Sequence, residues 1–187
     1  DHYQTLTDKN FVTLPWSKKQ QRCTFYGSAT GCGVEPGTNL RLKAASISKK
    51  HPELVEAKIT NWNARIRIVR NSDKRFVKIK PDKLDFKLET KRQSIQEKST
   101  YKYILHLPGH VSANRLLSEL GLRSACMLGE MMKSAGDGGD GGDAESVQSN
   151  HRYLCWVHNF IKPNVHYIPV QENLQDLVGL MKYANNP

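Results

Sequence analysis

The sequence predicts an α/β fold, a parallel sheet with helices on both faces. Three observations carry that reading. Short apolar runs alternate along the 187-residue chain with amphipathic stretches that begin at helix-capping residues. Two of the runs end in bends of small residues, at Gly27-Ser28-Ala29-Thr30-Gly31-Cys32-Gly33 and at Pro108-Gly109. The run 101–107, YKYILHL, is apolar without clean alternation, as strands covered on both faces are.

The elements follow in order. Residues 1–22 are polar and irregular, and are expected to be the tail of a preceding lobe. Residues 24–26 read as a short strand entering the first small-residue loop. Thr38 or Asn39 can cap a helix to about Lys49, with Leu40, Ala44 and Ile47 inward and His51-Pro52 as its stop. Residues 54–59 alternate through Val55, Ala57 and Ile59 and read as a strand. Residues 64–100 read as a loop-rich connection with short strands such as 76–79. After the strand 101–107, a helix is expected from Ser112, with Ala113, Leu116, Leu117 and Leu120 on one face and Arg115 in its first turn. A second apolar strand is predicted over 124–128 and another over 165–170. Asn173 can cap a final helix that turns Leu174, Leu177, Val178, Met181 and Ala184 to one side. The glycine- and aspartate-rich segment 134–150 is expected to be a flexible insertion within a domain spanning 23–187.

Function is most visible at residues 101–123. A strand, a glycine turn and a helix start form a unit whose free backbone N–H groups and dipole attract an anion. Arg115 adds a planar, permanently charged fork suited to phosphate. Parallel sheets bind ligands at the carboxyl ends of their strands, where both small-residue bends fall. The unit therefore reads as a diphosphate cradle for a nucleotide-derived ligand. The plainer alternative is that Arg115 pairs with Glu119 on its own helix and that the first loop is an ordinary turn. No GxxxxGK[ST] motif occurs, which argues against a phosphoryl-transfer P-loop.

Composition narrows the field. An apolar share of 38% and a mean hydropathy of −0.60 are those of a soluble globular protein, and no run approaches the ~20 apolar residues of a membrane span. No signal peptide is visible in a sequence that starts Asp1-His2-Tyr3, as is expected of a fragment or processed product from which a targeting signal is missing. Of the net +10 charge, eight units lie between Arg65 and Lys102, where thirteen Lys/Arg face five Asp/Glu. That stripe could attract nucleic acid, yet it lacks interleaved aromatics, so no nucleic-acid partner is expected. Cys23, Cys32, Cys126 and Cys155 have no CxxC spacing; two disulfides or four free thiols both fit. His151, Cys155 and His158 lack a fourth metal ligand, and Asp137, Asp140 and Asp143 match no calcium loop, so no metal is expected. Glu56 and Glu130 are candidates to hydrogen-bond sugar hydroxyls. Trp62 and His166 read as structural.

Read in order, the chain resembles glycosyltransferase family 90, the Rumi-like and capsule-associated transferases. The similarity rests on Phe25-Tyr26-Gly27-Ser28-Ala29-Thr30-Gly31-Cys32-Gly33, Asn39-Leu40-Arg41-Leu42-Lys43, Glu53-Leu54-Val55-Glu56-Ala57 and Ile59-Thr60-Asn61-Trp62-Asn63. It continues through Tyr101-Lys102-Tyr103-Ile104, Gly109-His110-Val111-Ser112-Ala113-Asn114-Arg115, Lys162-Pro163-Asn164-Val165-His166-Tyr167-Ile168-Pro169-Val170 and Asn173-Leu174-Gln175-Asp176-Leu177. The resemblance implies a Rossmann-like, donor-binding part of a two-lobed GT-B-type glycosyltransferase. It implies inverting, metal-independent transfer of glucose or xylose from a UDP-sugar to a hydroxyl on protein or glycan; it leaves the compartment open, favouring the endoplasmic-reticulum lumen over the cytoplasm. UDP-sugar is then a co-substrate, and no cofactor is implied.

Donor-binding roles carry over onto Gly27, Ser28, Thr30, Gly109, Ser112, Ala113 and Arg115. The acceptor base lies upstream of residue 1 in the family, so none is assigned. Three departures stand out: Tyr26 where the family has Arg, Asn114 where it has an aromatic, and the 134–150 insertion. A non-catalytic homologue acting as a scaffold is the alternative that Tyr26 and the missing upstream lobe favour.

Overall fold

The computed structural model describes residues 11–31, 33–63, 84–109, 115–129 and 160–186, with the backbone of 65–67 and 76–78. Cys32, His110, Ser112, Ala113, Asn114, Glu130, the insertion 134–150, His151, Cys155 and His158 lie outside the described residues. The elements are β1 (Gln20–Ala29), α1 (Leu40–Lys50), β2 (Val55–Trp62), β3 (Arg65–Arg67), β4 (Phe76–Lys78), α2 (Ile95–Lys98), β5 (Tyr101–His106), α3 (Leu116–Leu120), β6 (Ala125–Gly129), β7 (Ile168–Val170) and α4 (Leu177–Asn185).

Five strands form one sheet in the order β2-β1-β5-β6-β7, and every pairing in it is parallel. The basic connection contributes β3 and β4, which pair antiparallel as a separate ribbon. The chain steps outward from β1 to β2, then returns across β1 to β5 and moves the other way. The order therefore reverses between β1 and β5, and open α/β sheets bind ligands at such a reversal.

Helices cover both faces. Cys23, Phe25 and Ala29 of β1 pack in one cluster with Leu42 and Ala45 of α1 and Leu177 and Met181 of α4. Leu116 of α3 packs with Cys126 and Leu128 of β6 in a second cluster, while Met127 between them belongs to the first. Alternate β6 side chains thus serve opposite faces, as strand geometry requires. Each large apolar side chain fully buried in the first cluster contributes on the order of 1.5–3 kcal/mol.

Several boundaries differ from expectation. β1 starts at Gln20 and ends at Ala29, so it takes in residues from the expected irregular segment 1–22 and from the expected loop. Gln20 is polar and exposed, but its N–H pairs with Thr100 O, and pairing rather than burial defines that end. The strand at 165–170 shortens to β7, because Asn164 is left-handed (φ 61°) and residues 164–166 turn. α4 begins at Leu177, not after Asn173. Asn173 Oδ1 accepts from Gln175 N in a local turn, and Leu174 is left-handed (φ 55°) while still buried in the core. The helix expected from Ser112 is described only over α3, with Arg115 at its N-cap.

On α1 the buried stripe is Arg41, Leu42, Ala44, Ala45 and Ser48; Leu40 and Ile47 are only partly buried. Ser48 can turn inward because its hydroxyl donates to Val55 O and accepts from Ala57 N.

Candidate anion site at the sheet reversal

Asn39 organises the loop after β1. Its Oδ1 accepts from the N–H groups of Arg41 and Leu42, capping α1, while its Nδ2 donates to Thr30 O and Gly33 O. One side chain thus fixes both the helix start and the loop preceding it. Positive φ at Gly31 (110°) and Gly33 (81°) explains glycine at those bends.

Arg41, 6% exposed, then reaches across the reversal. Its Nη1 donates to Ser28 O (2.9 Å) and Thr30 Oγ1 (2.6 Å), its Nε to Pro108 O (2.8 Å) and its Nη2 to Leu107 O (3.0 Å). The guanidinium ties the bend after β1 to the bend after β5. Gly109 permits this: a Cβ there would stand 2.9 Å from both Arg41 Nη2 and Thr30 Oγ1.

Arg115 arrives from the other side. Its Nη2 donates to the same Leu107 O at 3.3 Å, and its Nε lies 3.0 Å from Glu119 Oε1, an ion pair without good hydrogen-bond alignment. Both guanidiniums lie over the buried Phe25 ring, Arg41 at 5.6 Å and Arg115 at 5.3 Å from its centroid. Gly27 leaves room for that ring, since a Cβ there would meet Phe25 Cζ at 2.9 Å. Burial, then the neighbouring Arg115 charge, pushes Arg41 down to about 9, so it stays charged at neutral pH.

A single carboxylate among the described residues balances these cations. Glu119, buried on α3, receives Lys98 Nζ at 2.7 Å on Oε1 and meets His106 Nδ1 at 2.5 Å on Oε2. Burial raises its pKa, but Lys98, the His106 hydrogen bond and Arg115 together outweigh that and hold it well below the usual carboxylate range. His106 is lowered, by burial first, against the opposing pull of Glu119. Arg41, Arg115 and Lys98 against Glu119 leave two positive charges in excess even with His106 neutral.

The structure brings Ser28, Thr30, Gly109 and Arg115 together, and gives Gly27 a packing role beneath them. Arg41 escaped the sequence reading. Its signal was the spacing 41, 44, 45, 48, a helical stripe whose apolar members point inward and take residue 41 with them.

Other predicted residues fall elsewhere. Glu56 pairs with Thr24 in register, six residues before β2 ends, about 20 Å away along the strand. It accepts from the Tyr26 and Tyr101 hydroxyls and pairs with Arg22, so it is committed to protein contacts. His106 serves Glu119, and His166 Nδ1 accepts from Lys162 N. Cys23 and Cys126 are buried and free, which excludes a framework of two disulfides. Among the described residues no cluster of three His, Cys, Asp or Glu is found, and no helix is long and apolar enough to cross a membrane. A cavity of about 690 Å³ lies at the β2 edge between Ser48, Val55, Ala57, Phe86 and Leu88, away from the two arginines.

No family model matches this sequence. The chain is 39% identical over 169 residues to uncharacterized protein 035R of Invertebrate iridescent virus 3, an alignment covering 90% of this chain and 13% of that protein. It is 35% identical over 188 residues to uncharacterized protein 179R of Invertebrate iridescent virus 6, covering 95% and 14%. It is 33% identical over 179 residues to uncharacterized protein 027R of Frog virus 3 (isolate Goorha), covering 93% and 17%. The chain therefore spans only 13 to 17% of the length of the curated relatives it matches.

Proposed function

We propose that this chain is the nucleotide-sugar-binding region of a GT-B-type glycosyltransferase, taking glucose or xylose from a UDP-sugar to a hydroxyl on protein or glycan. The observation that supports it is the pair of guanidiniums meeting at Leu107 O, at the carboxyl ends of β1 and β5, with Glu119 the one carboxylate among the described residues paired to Arg115 and Lys98. A diphosphate bears the charge this cluster lacks, and a guanidinium fork beside two backbone bends is the kind of chemistry that binds one.

In the proposed reaction the bond from the anomeric carbon to the diphosphate oxygen breaks as the acceptor oxygen attacks the opposite face. Negative charge grows on the departing UDP. Arg115, 23% exposed, is the reachable cation and stabilises that charge. Arg41 adds its field from beneath while holding Ser28, Thr30, Leu107 and Pro108 in place. The carboxylate that deprotonates the acceptor comes from outside these residues, and transfer belongs to the longer polypeptide.

A thermal-melt series tests the binding half. UDP and UDP-glucose should raise the unfolding midpoint in a concentration-dependent way, through preferential binding to the folded chain. Uridine alone should shift it far less. A midpoint unmoved by millimolar UDP removes the proposal.

A further inference from the structure

Glu119 is set apart by its position. It is wholly buried, it sits one turn after Arg115, and its two oxygens are shared among groups from three other places: Lys98 on α2, His106 on β5 and Arg115 at the start of α3. Glu119 faces Arg115 from the Nε side, away from Leu107 O, where the two guanidiniums meet; without it, no carboxylate among the described residues pairs with Arg115 to offset the repulsion from Arg41. Two like charges over one aromatic ring then separate, and Arg115, the more exposed and less tied of the two, is the one that moves.

We infer that Glu119 is the positioning residue of the anion site: it holds Arg115 by Nε, so that the Nη end of the fork is presented to a diphosphate. Lys98 and His106 act one step further back, by fixing the carboxylate itself. This rests on the diphosphate reading above and adds a residue that never touches the ligand. Charge alone makes the opposite forecast, because removing a negative charge beside the site should tighten anion binding. The two forecasts differ in sign.

The test is a calorimetric titration of the 187-residue chain with UDP, for wild type, Glu119→Gln, Arg115→Ala and the double variant, with the thermal midpoint of each recorded. Wild type should bind, Glu119→Gln should bind roughly tenfold more weakly, and that loss should vanish in the Arg115→Ala background. A role confined to folding would weaken both backgrounds alike. Should Glu119→Gln not fold, Glu119→Asp takes its place in the same cycle; it keeps the charge and withdraws the carboxylate by one methylene. Binding by the Glu119 variant equal to or tighter than wild type overturns the inference, as does a loss undiminished without Arg115. Wild type that fails to bind UDP overturns the diphosphate reading itself, and the wild-type titration alone reveals it.

Discussion

Arg41 and Arg115 donate to one oxygen, the Leu107 carbonyl, at 3.0 and 3.3 Å. Two permanently charged groups seldom share an acceptor in a part-buried setting, because each lowers the other's preference for charge. Here the arrangement persists because Arg41 is tied to four oxygens on two bends and Arg115 is paired with Glu119. The two play different parts: Arg41 is buried and ties the two bends together, and Arg115 is the more exposed of the pair.

Removing that tie should cost stability as well as binding. Arg41→Ala removes one donor each from Ser28 O, Leu107 O and Pro108 O, leaving Leu107 O with Arg115 alone, and a loss of roughly 3 kcal/mol is expected from charge-assisted bonds to buried and part-buried carbonyls. Arg41→Lys should recover only a small part, since one ammonium cannot span both bends as a planar fork does. Urea unfolding midpoints at constant m-value measure both.

Gly109→Ala offers a smaller probe. Its Cβ would press on Arg41 Nη2 and Thr30 Oγ1 at 2.9 Å, and neither can retreat while Arg41 is pinned to four oxygens. A loss of about 1–3 kcal/mol and weaker UDP binding are expected. Gly37→Ala is the control, since a Cβ there meets nothing within 4 Å and should leave both quantities unchanged. Chemical unfolding of the two variants side by side decides it.

Acid should unfold this protein in two windows. His106 is lowered from 6.5, so the unfolded chain binds its proton first and stability starts to fall below about pH 6.5. Glu119 is lowered from 4.5, so its share is intact above that value and drains away as pH drops further toward its folded pKa. Glu119→Gln should flatten the lower window. Stability measured against pH from 7 to 3, for wild type and variant, reads the difference.

The thiols make a third kind of probe. Burial raises Cys23 and Cys126 far above the ordinary thiol range, so neither should react with an alkylating reagent until the chain unfolds. In a variant with Cys32 and Cys155 replaced by Ser, labelling should appear only across the denaturant transition. Rapid labelling of the folded variant would place one of these thiols at the surface.

How much of this could be read from residues alone differs by element. The α/β class, β2, β5 and β6 were visible because apolar runs with turn residues at their ends admit few other folds. Arg115 and the two bends were singled out because phosphate chemistry names its residue types, and the fold does bring them together at the β1–β5 reversal. Arg41 was hidden between Leu40 and Leu42, since a charged residue on a helix is normally turned to water, and only the loops' carbonyl oxygens draw it inward. Glu119 appeared as an ordinary i,i+4 partner; its ties to Lys98 and His106 span 21 and 13 residues, which no local pattern encodes. The ends of β1 and β7 shifted for a related reason. Pairing at Gln20 and left-handed backbone at Asn164 are set by neighbours and turns rather than by hydrophobicity.

A crystal structure of the chain soaked with UDP tests the account most directly. The diphosphate should lie at the carboxyl ends of β1 and β5, with an oxygen within hydrogen-bond distance of Arg115 and the loop at Thr30 beside it. UDP seated instead in the cavity at the β2 edge, or clear density for it anywhere with Arg115 still facing only Glu119, would contradict the account.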